Sequence, residues 1–364
     1  RGRLPLEAVI HMNKSVDSAA DAGLKPILDV LAKRVGKSGQ ASATAFASAL
    51  FRRMDAEELA SRGAEAWAEL ALALLDFAGT RKRGKANVQV FNPPLKAGPV
   101  GSAHTTLQIV NDDMPFLVDS VAMAMAELGI GVHALGHPVM RISRDRAGKL
   151  LAVGEGDRES VMHLELDRQP KEALATIKAR VIRVLEDVRA IVADWAPMQA
   201  QMQAVAADLA ARKSPISKDG KREAREFLEW AADDHFTFFG YREYQVERKG
   251  KDEVLCAVPG SGLGLLRGDD EHKPRPVKSL AAHSMRHSGS VDALILTKTN
   301  ARASVHRPGY MDYIGVLDFD ANGKAIREQR FLGLYTSSAY TRRPWDIPLV
   351  RERHEYVMQK SGLS

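Results

Sequence analysis

The chain has 364 residues, 45% of them apolar, with 52 Lys and Arg against 46 Asp and Glu. That length exceeds one ordinary core and predicts two to three domains of about 100–200 residues each. A formal charge of +6 over so long a chain argues for solubility and against nucleic acid as a partner. No run approaches the roughly 18 apolar residues of a membrane span, and the first residues lack the order of a signal peptide. A cytoplasmic protein with no membrane partner is therefore expected. Cys256 is the only cysteine, so neither an intramolecular disulfide nor a cysteine-based metal site can form.

Residues 1–86 are Ala-rich and helical in pattern, as in Ala66-Trp67-Ala68-Glu69-Leu70-Ala71, and predict a packed helical region. The basic run Arg81–Lys85 reads as a solvated connector. Val88–Asn92 is strand-like, Pro93-Pro94 interrupts it, and His104–Val110 resumes with the polar and apolar alternation of a half-buried strand. Leu117, Val121, Met125 and Leu128 share one helix face. Asp113 suits the cap of that helix and Pro115 its first position, where a missing N–H costs nothing. Strands at Val132–Ile142, Leu150–Val153 and Ser160–Leu166 and a helix from Glu172 follow. The order strand, helix, strand, strand, helix is the core of a ferredoxin-like sandwich. The second helix keeps its apolar spacing to Trp195, is expected to be disturbed at Pro197, and resumes to Leu209.

Beyond a boundary at Ser214-Pro215 and Asp219-Gly220, a helix at Ala224–Ala232 precedes a strand at His235–Val246 with Glu253–Val258 as its hairpin partner, then strands at Leu294–Thr297, Tyr313–Phe319 and Ile326–Leu334, the last two joined by a hairpin turn at Ala321-Asn322-Gly323. Residues 267–290 are polar and rich in His, Lys and Pro, which predicts a mobile excursion. The domains expected are thus 1–86 helical, 87–190 a first α/β unit, 191–219 a helical linker, 220–340 a second α/β unit, and 341–364 the start of a further helical segment.

The turn Asp113-Met114-Pro115 before an apolar helix resembles the first strand-to-helix loop of ACT domains. Longer blocks extend the likeness: Ala232-Asp233-Asp234-His235-Phe236-Thr237-Phe238-Phe239-Gly240-Tyr241, Val305-His306-Arg307-Pro308-Gly309-Tyr310-Met311-Asp312-Tyr313, and Arg330-Phe331-Leu332-Gly333-Leu334-Tyr335. From Val88 to Tyr340 these resemble, in order, the N-terminal half of the large bacterial NAD-specific glutamate dehydrogenases. The resemblance implies an α+β fold, with two ACT-like βαββαβ sandwich units joined by a long helix after the helical N-terminal region. It implies a regulatory or assembly portion of an enzyme that oxidises L-glutamate to 2-oxoglutarate and ammonium with NAD as cofactor. The catalytic domain would lie downstream in the same chain, with other subunits of a homo-oligomer and an amino-acid effector as further partners.

For that effector the turn residues Asn111, Asp112, Asp113, Pro115 and Phe116 are the candidates, because amides at a helix N-terminus bind carboxylates. Phe116 departs from the Gly that usually follows the Pro, and Asp112 and Asp113 bring negative charge. A cap for the helix is the competing role of Asp113. A second polar set, His235, Arg302, His306 and Arg307, could serve hydrogen bonding or an anionic ligand. Gly260-Ser261-Gly262-Leu263-Gly264 has Leu265 where a dinucleotide fingerprint needs Gly. No catalytic residue, NAD site or metal site is expected in these residues. Alternatives are a stand-alone amino-acid sensor and an oligomerisation module.

Overall fold

The computed structural model describes residues 23–52, 54, 56–94, 103–212, 214–249, 252–268, 275–276 and 292–362. The expected excursion at 267–290 lies largely outside them. The chain divides into two compact units, Arg1–Leu185 and Glu186–Ser364.

The first unit begins with four helices: α1 (residues 23–34), α2 (Lys37–Phe51), α3 (Ala56–Arg62) and α4 (Ala64–Ala78). Ile27, Leu31, Phe51, Leu59, Trp67 and Ala71 form their shared core, and Trp67 Nε1 donates to Leu59 O at 2.9 Å. The sheet that follows contains β1 (Asn87–Phe91), β2 (Thr105–Asp112), β3 (Val132–Gly136), β4 (Val139–Arg144), β5 (Leu150–Val153) and β6 (Asp157–Leu166), with α5 (Leu117–Glu127) after β2 and α6 (Lys171–Ala211) after β6. Its order is β1-β2-β6-β4-β5, and β3 also pairs with β6. All pairs are antiparallel. The α+β class is as expected. The edge strand beside β2 differs: it is β1, from upstream, where a βαββαβ order would place a strand from beyond the second helix.

Alternation predicts a half-buried β2, yet every residue from Thr105 to Asn111 is buried. Phe46 of α2 and Leu74 and Ala78 of α4 pack on Val110, Met140, Ile142 and Val161. The helical layer therefore covers the sheet face that alternation alone would assign to water. On the other parity Leu107, Ile109, Met162 and Leu164 are fully buried. Arg180 of α6 is paired with Glu127 of α5.

α6 runs through Pro197 as one helix of 41 residues, so the expected disturbance there does not end it. Residues expected as a linker instead furnish core to the second unit. Met198, Met202, Val205 and Leu209 pack with Phe227 and Leu228 of α7 (Lys218–Trp230) against Phe238, Tyr241, Ile314 and Phe331. A kinked turn, Ala231–His235, with non-helical backbone at Asp233 and Asp234, leads to β7 (Phe236–Lys249) and β8 (Asp252–Ala257). Two-residue strands β9 (Leu263–Gly264) and β10 (Arg275–Pro276) precede β11 (Leu294–Arg302), β12 (Tyr310–Phe319) and β13 (Ala325–Tyr335). The sheet order is β10-β8-β7-β13-β12-β11, with β9 on β7.

This second topology is not the expected βαββαβ. β7 pairs directly with its chain neighbour β8, whereas the sandwich order separates its first two strands by a helix in sequence and by a strand in the sheet. β11, β12 and β13 then form a meander that closes on β7. The strands and the β7–β8 and β12–β13 hairpins are as the sequence predicts; the closure of β13 on β7 is not. A short helix at Ser337–Tyr340 and α8 (Val350–Ser361) complete the described chain. No helix among the described residues is long and apolar enough to cross a membrane.

Candidate functional site

The turn after β2 adopts a conformation other than the sequence suggests. Asp113 N–H donates to Arg158 O at 3.1 Å, continuing the ladder that pairs Asp112 with Glu159. The backbone is therefore still extended at Asp113, and α5 begins at Leu117, with Phe116 at its cap position and no side-chain cap. Asp113 does not cap the helix and Pro115 is not its first residue. Phe116 has φ 70°, a left-handed conformation that L side chains other than Asn and Asp rarely adopt. It thus takes on strain at the position where Gly would sit without cost.

Arginines already engage the acidic residues of this turn. Arg158 donates to Asp113 Oδ2 at 2.9 Å through Nε, and Arg81 NH2 lies 2.8 Å from Asp112 Oδ1. The Arg81 guanidinium also donates to Glu159 at 3.1 Å. Arg144 grips both Glu159 oxygens at 2.7 and 2.8 Å. Burial works against ionisation of Glu159, but Arg144 and Arg81 outweigh it and hold the carboxyl below its ordinary range. Asn111 is buried in β2, opposite Ser160. The basic run read as a solvated connector therefore starts with a buried arginine: Arg81 is 2% exposed.

In the second unit His235 and Arg307 both reach the end of β13. His235 O accepts from Thr336 N at 3.0 Å, while its ring stacks on Trp230 with centroids 4.5 Å apart and its Nδ1 lies 2.9 Å from Trp230 O. Arg307 NH2 donates to Tyr335 O at 2.8 Å. Arg302 is exposed and lies over the Tyr310 ring at 5.3 Å. His306 turns the chain at φ 75°. These contacts give His235 and Arg307 a role in fastening loops to the sheet. Gly264 of the glycine-rich stretch donates its N–H to the buried Asp194 of α6 at 2.7 Å, and a Cβ there would lie 2.3 Å from Phe239 O. Its need for glycine is thus steric. No group of three or more His, Cys, Asp and Glu among the described residues could hold a metal ion.

A large concavity of the first unit goes beyond what the sequence predicts. A cleft of about 940 Å³ opens between α2–α4 and the β3–β4 corner, with Leu50, Trp67, Leu135 and Val139 among its apolar walls and Val118 of α5 at one side. A polar row leads to it through the sheet and reaches its lining at His163 and Glu165. Gln89 donates to Gln108 Oε1, so Gln108 Nε2 is the donor toward His163 Nδ1 at 3.3 Å. That leaves the ring proton on His163 Nε2, which faces Glu165 Oε1 at 3.8 Å. Arg62 closes the row with a two-pronged contact to Glu165, one prong at 2.9 Å, and lies 5.1 Å above the Trp67 ring. His163 first, then Arg62 against the cost of burial, hold the Glu165 carboxyl down to about 2. Arg52, Arg141 and Arg158 also line the cleft. With Arg62, four arginines and one carboxylate thus line the cleft among the described residues. The signal in sequence is the polar set Gln108, His163 and Glu165 at alternate strand positions, which reads as solvent-facing until the helices are placed.

Residues 46–181 match the family model for the glutamate dehydrogenase ACT1 domain, and every residue named on the cleft lies inside that stretch. Over 351 residues the chain is 32% identical to the NAD-specific glutamate dehydrogenase of Halomonas elongata, covering 94% of this chain and 22% of that protein. The Pseudomonas aeruginosa NAD-specific glutamate dehydrogenase is 32% identical over 347 residues, 91% of this chain and 21% of the relative. That of Mycobacterium tuberculosis is 26% identical over 282 residues, 75% and 16% respectively. The chain thus spans about a fifth of the length of the first two relatives.

Proposed function

We propose that the chain, which matches the glutamate dehydrogenase ACT1 model over residues 46–181 and is 32% identical to two NAD-specific glutamate dehydrogenases, is the regulatory and assembly portion of such an enzyme. The parent oxidises L-glutamate to 2-oxoglutarate and ammonium with NAD in the cytoplasm, and this portion is itself non-catalytic. One observation carries the reading: the matched ACT1 stretch contains the cleft, and the cleft joins apolar walls to unevenly positive charge, a combination suited to binding a small metabolite. The described polar clusters are occupied by ion pairs or loop fastenings, which supports a role other than catalysis. Expected partners are the catalytic domain of the same chain and further subunits.

The test compares the whole enzyme with a version lacking residues 46–181, assayed for NADH formation at varied amino-acid concentrations. Loss of effector response with the basal rate kept within about threefold is expected, equivalent to under about 1 kcal/mol in the barrier. A deleted enzyme that still assembles but has no basal activity would sink the regulatory reading. A stand-alone sensor remains as a second reading, favoured by the same cleft. The turn at 111–116 contributes little to either, since its carboxylates are neutralised from within. Replacing Asp113 by Ala is expected to change stability by less than about 1 kcal/mol, the range of an exposed ion pair, and to leave effector response intact.

A further inference from the structure

The turn at α5 is occupied by its own arginines, so the geometry points to another place for the ligand: we infer that the cleft between α2–α4 and the β3–β4 corner binds a small organic carboxylate with an apolar body. This inference rests on the regulatory reading above and names its site.

The argument begins with the charge left over. Arg62 spends its guanidinium on Glu165, Arg158 on Asp113, and Arg141 donates to Gly156 O at 3.0 Å. Arg52, at the end of α2, has no hydrogen bond or ion pair among the described residues and stands exposed on the cleft wall. An arginine in that state offers its planar fork to a carboxylate, the anion it pairs with bidentately. The cleft volume of about 940 Å³ falls at the upper end of the roughly 300–1,000 Å³ of small-molecule sites.

Apolar recognition comes from β3 and β4. Leu135 and Val139 are 37% exposed each, although they sit on strands whose neighbours in β6 are buried. A hydrocarbon body laid against them and against Leu50 removes that surface from water, at about 25 cal/mol per Å². An ammonium group finds less. Glu165 is the one carboxylate on the cleft among the described residues, it is buried, and Arg62 already holds both its oxygens. The cleft thus discriminates by charge: it accepts an anion and, among the described residues, offers a cation no unspent carboxylate. An amino acid binds through its carboxylate and side chain, and its ammonium adds nothing.

Three matched probes test this by titration calorimetry on the 364-residue chain: hexanoate, L-norleucine and pentylamine. Hexanoate is expected to bind, norleucine to bind no more than a fewfold differently, and pentylamine not to bind. Arg52→Gln should weaken hexanoate about tenfold, which corresponds to about 1.4 kcal/mol. Val139→Glu, at an exposed position where a fold defect is not expected, should abolish it by adding a like charge at the apolar wall. Circular dichroism of both variants checks that they remain folded. Binding of pentylamine, binding of norleucine without hexanoate, or wild-type hexanoate affinity in both variants would each overturn the assignment. A folded chain that binds none of the three also overturns it, while the comparison of whole and deleted enzyme decides the regulatory reading separately.

Discussion

Replacement of Glu159 by Gln is expected to destabilise the chain by about 3–5 kcal/mol, the cost of stranding buried charges whose partner is removed. Glu159 is 1% exposed and lies between Arg81 and Arg144, whose side chains are 2% and 9% exposed. Without its charge, two guanidiniums remain beneath the helical layer with only the more exposed Asp112 to balance them. Urea unfolding at neutral pH measures the loss. A change below about 1 kcal/mol would mean that the network behaves as a surface ion pair. The same group sets an acid dependence. Its folded pKa is depressed, so its contribution is fully present above the unfolded value and is lost as the pH falls through the folded one. Glu165 adds to this between its ordinary value of 4.5 and about 2. Stability should therefore fall with pH below about 4.5, and less steeply in the Glu159→Gln variant. Unfolding midpoints between about pH 7 and about pH 2.5 give both slopes.

In the second unit, Arg330→Met is expected to cost a similar amount, about 3–5 kcal/mol. Arg330 NH2 donates to Glu328 Oε2 at 2.9 Å, its Nε donates to Tyr313 OH at 3.1 Å, and its guanidinium lies 4.0 Å from the Tyr244 ring centroid. Glu328 is fully buried, so a methionine leaves a carboxylate without its cation. Replacing Glu328 by Leu in the same chain should recover most of the loss, because apolar residues of similar size can replace a buried pair at little cost. If the double substitution is as unstable as the two single losses added together, the two groups act independently and the pair is not the cause.

Much of the element content can be read from the residues because periodicity is a local property. The alternation at His104–Val110 and the 3.6-residue spacing from Leu174 to Leu209 place β2 and α6 to within a few residues. What fails is context. Whether a strand's polar face meets water depends on elements far away in sequence, and here the layer of α2–α4 leaves Thr106, Gln108 and Glu165 buried. Pairing of β7 with β13 is set by the closure of a whole sheet, which no local pattern encodes, whereas the β7–β8 and β12–β13 hairpins are local and legible. The turn at Asp113-Met114-Pro115 misleads for another reason: Asp and Pro are good helix starters, but Arg158 outcompetes the helix for the aspartate. Arg62 and Arg52, on helices recognisable only as Ala-rich, carry no motif. Their importance comes from what the fold places opposite them.

The early position of β1 bears on how this region can be cut from a longer chain. β2 is buried along both faces and relies on Asn87–Phe91 to satisfy one of its backbone edges. A version starting at His104, where the sequence pattern places the first helix-flanked strand, would leave that edge open along a hydrophobic strand. Unpaired amides and carbonyls beside Leu107, Ile109 and Val110 are a template for another chain to add on. A shortened version thus keeps this edge closed only with the five residues of β1, and keeps the face over Val110, Met140 and Val161 covered only with α2 and α4, so a safe upstream limit lies before Lys37.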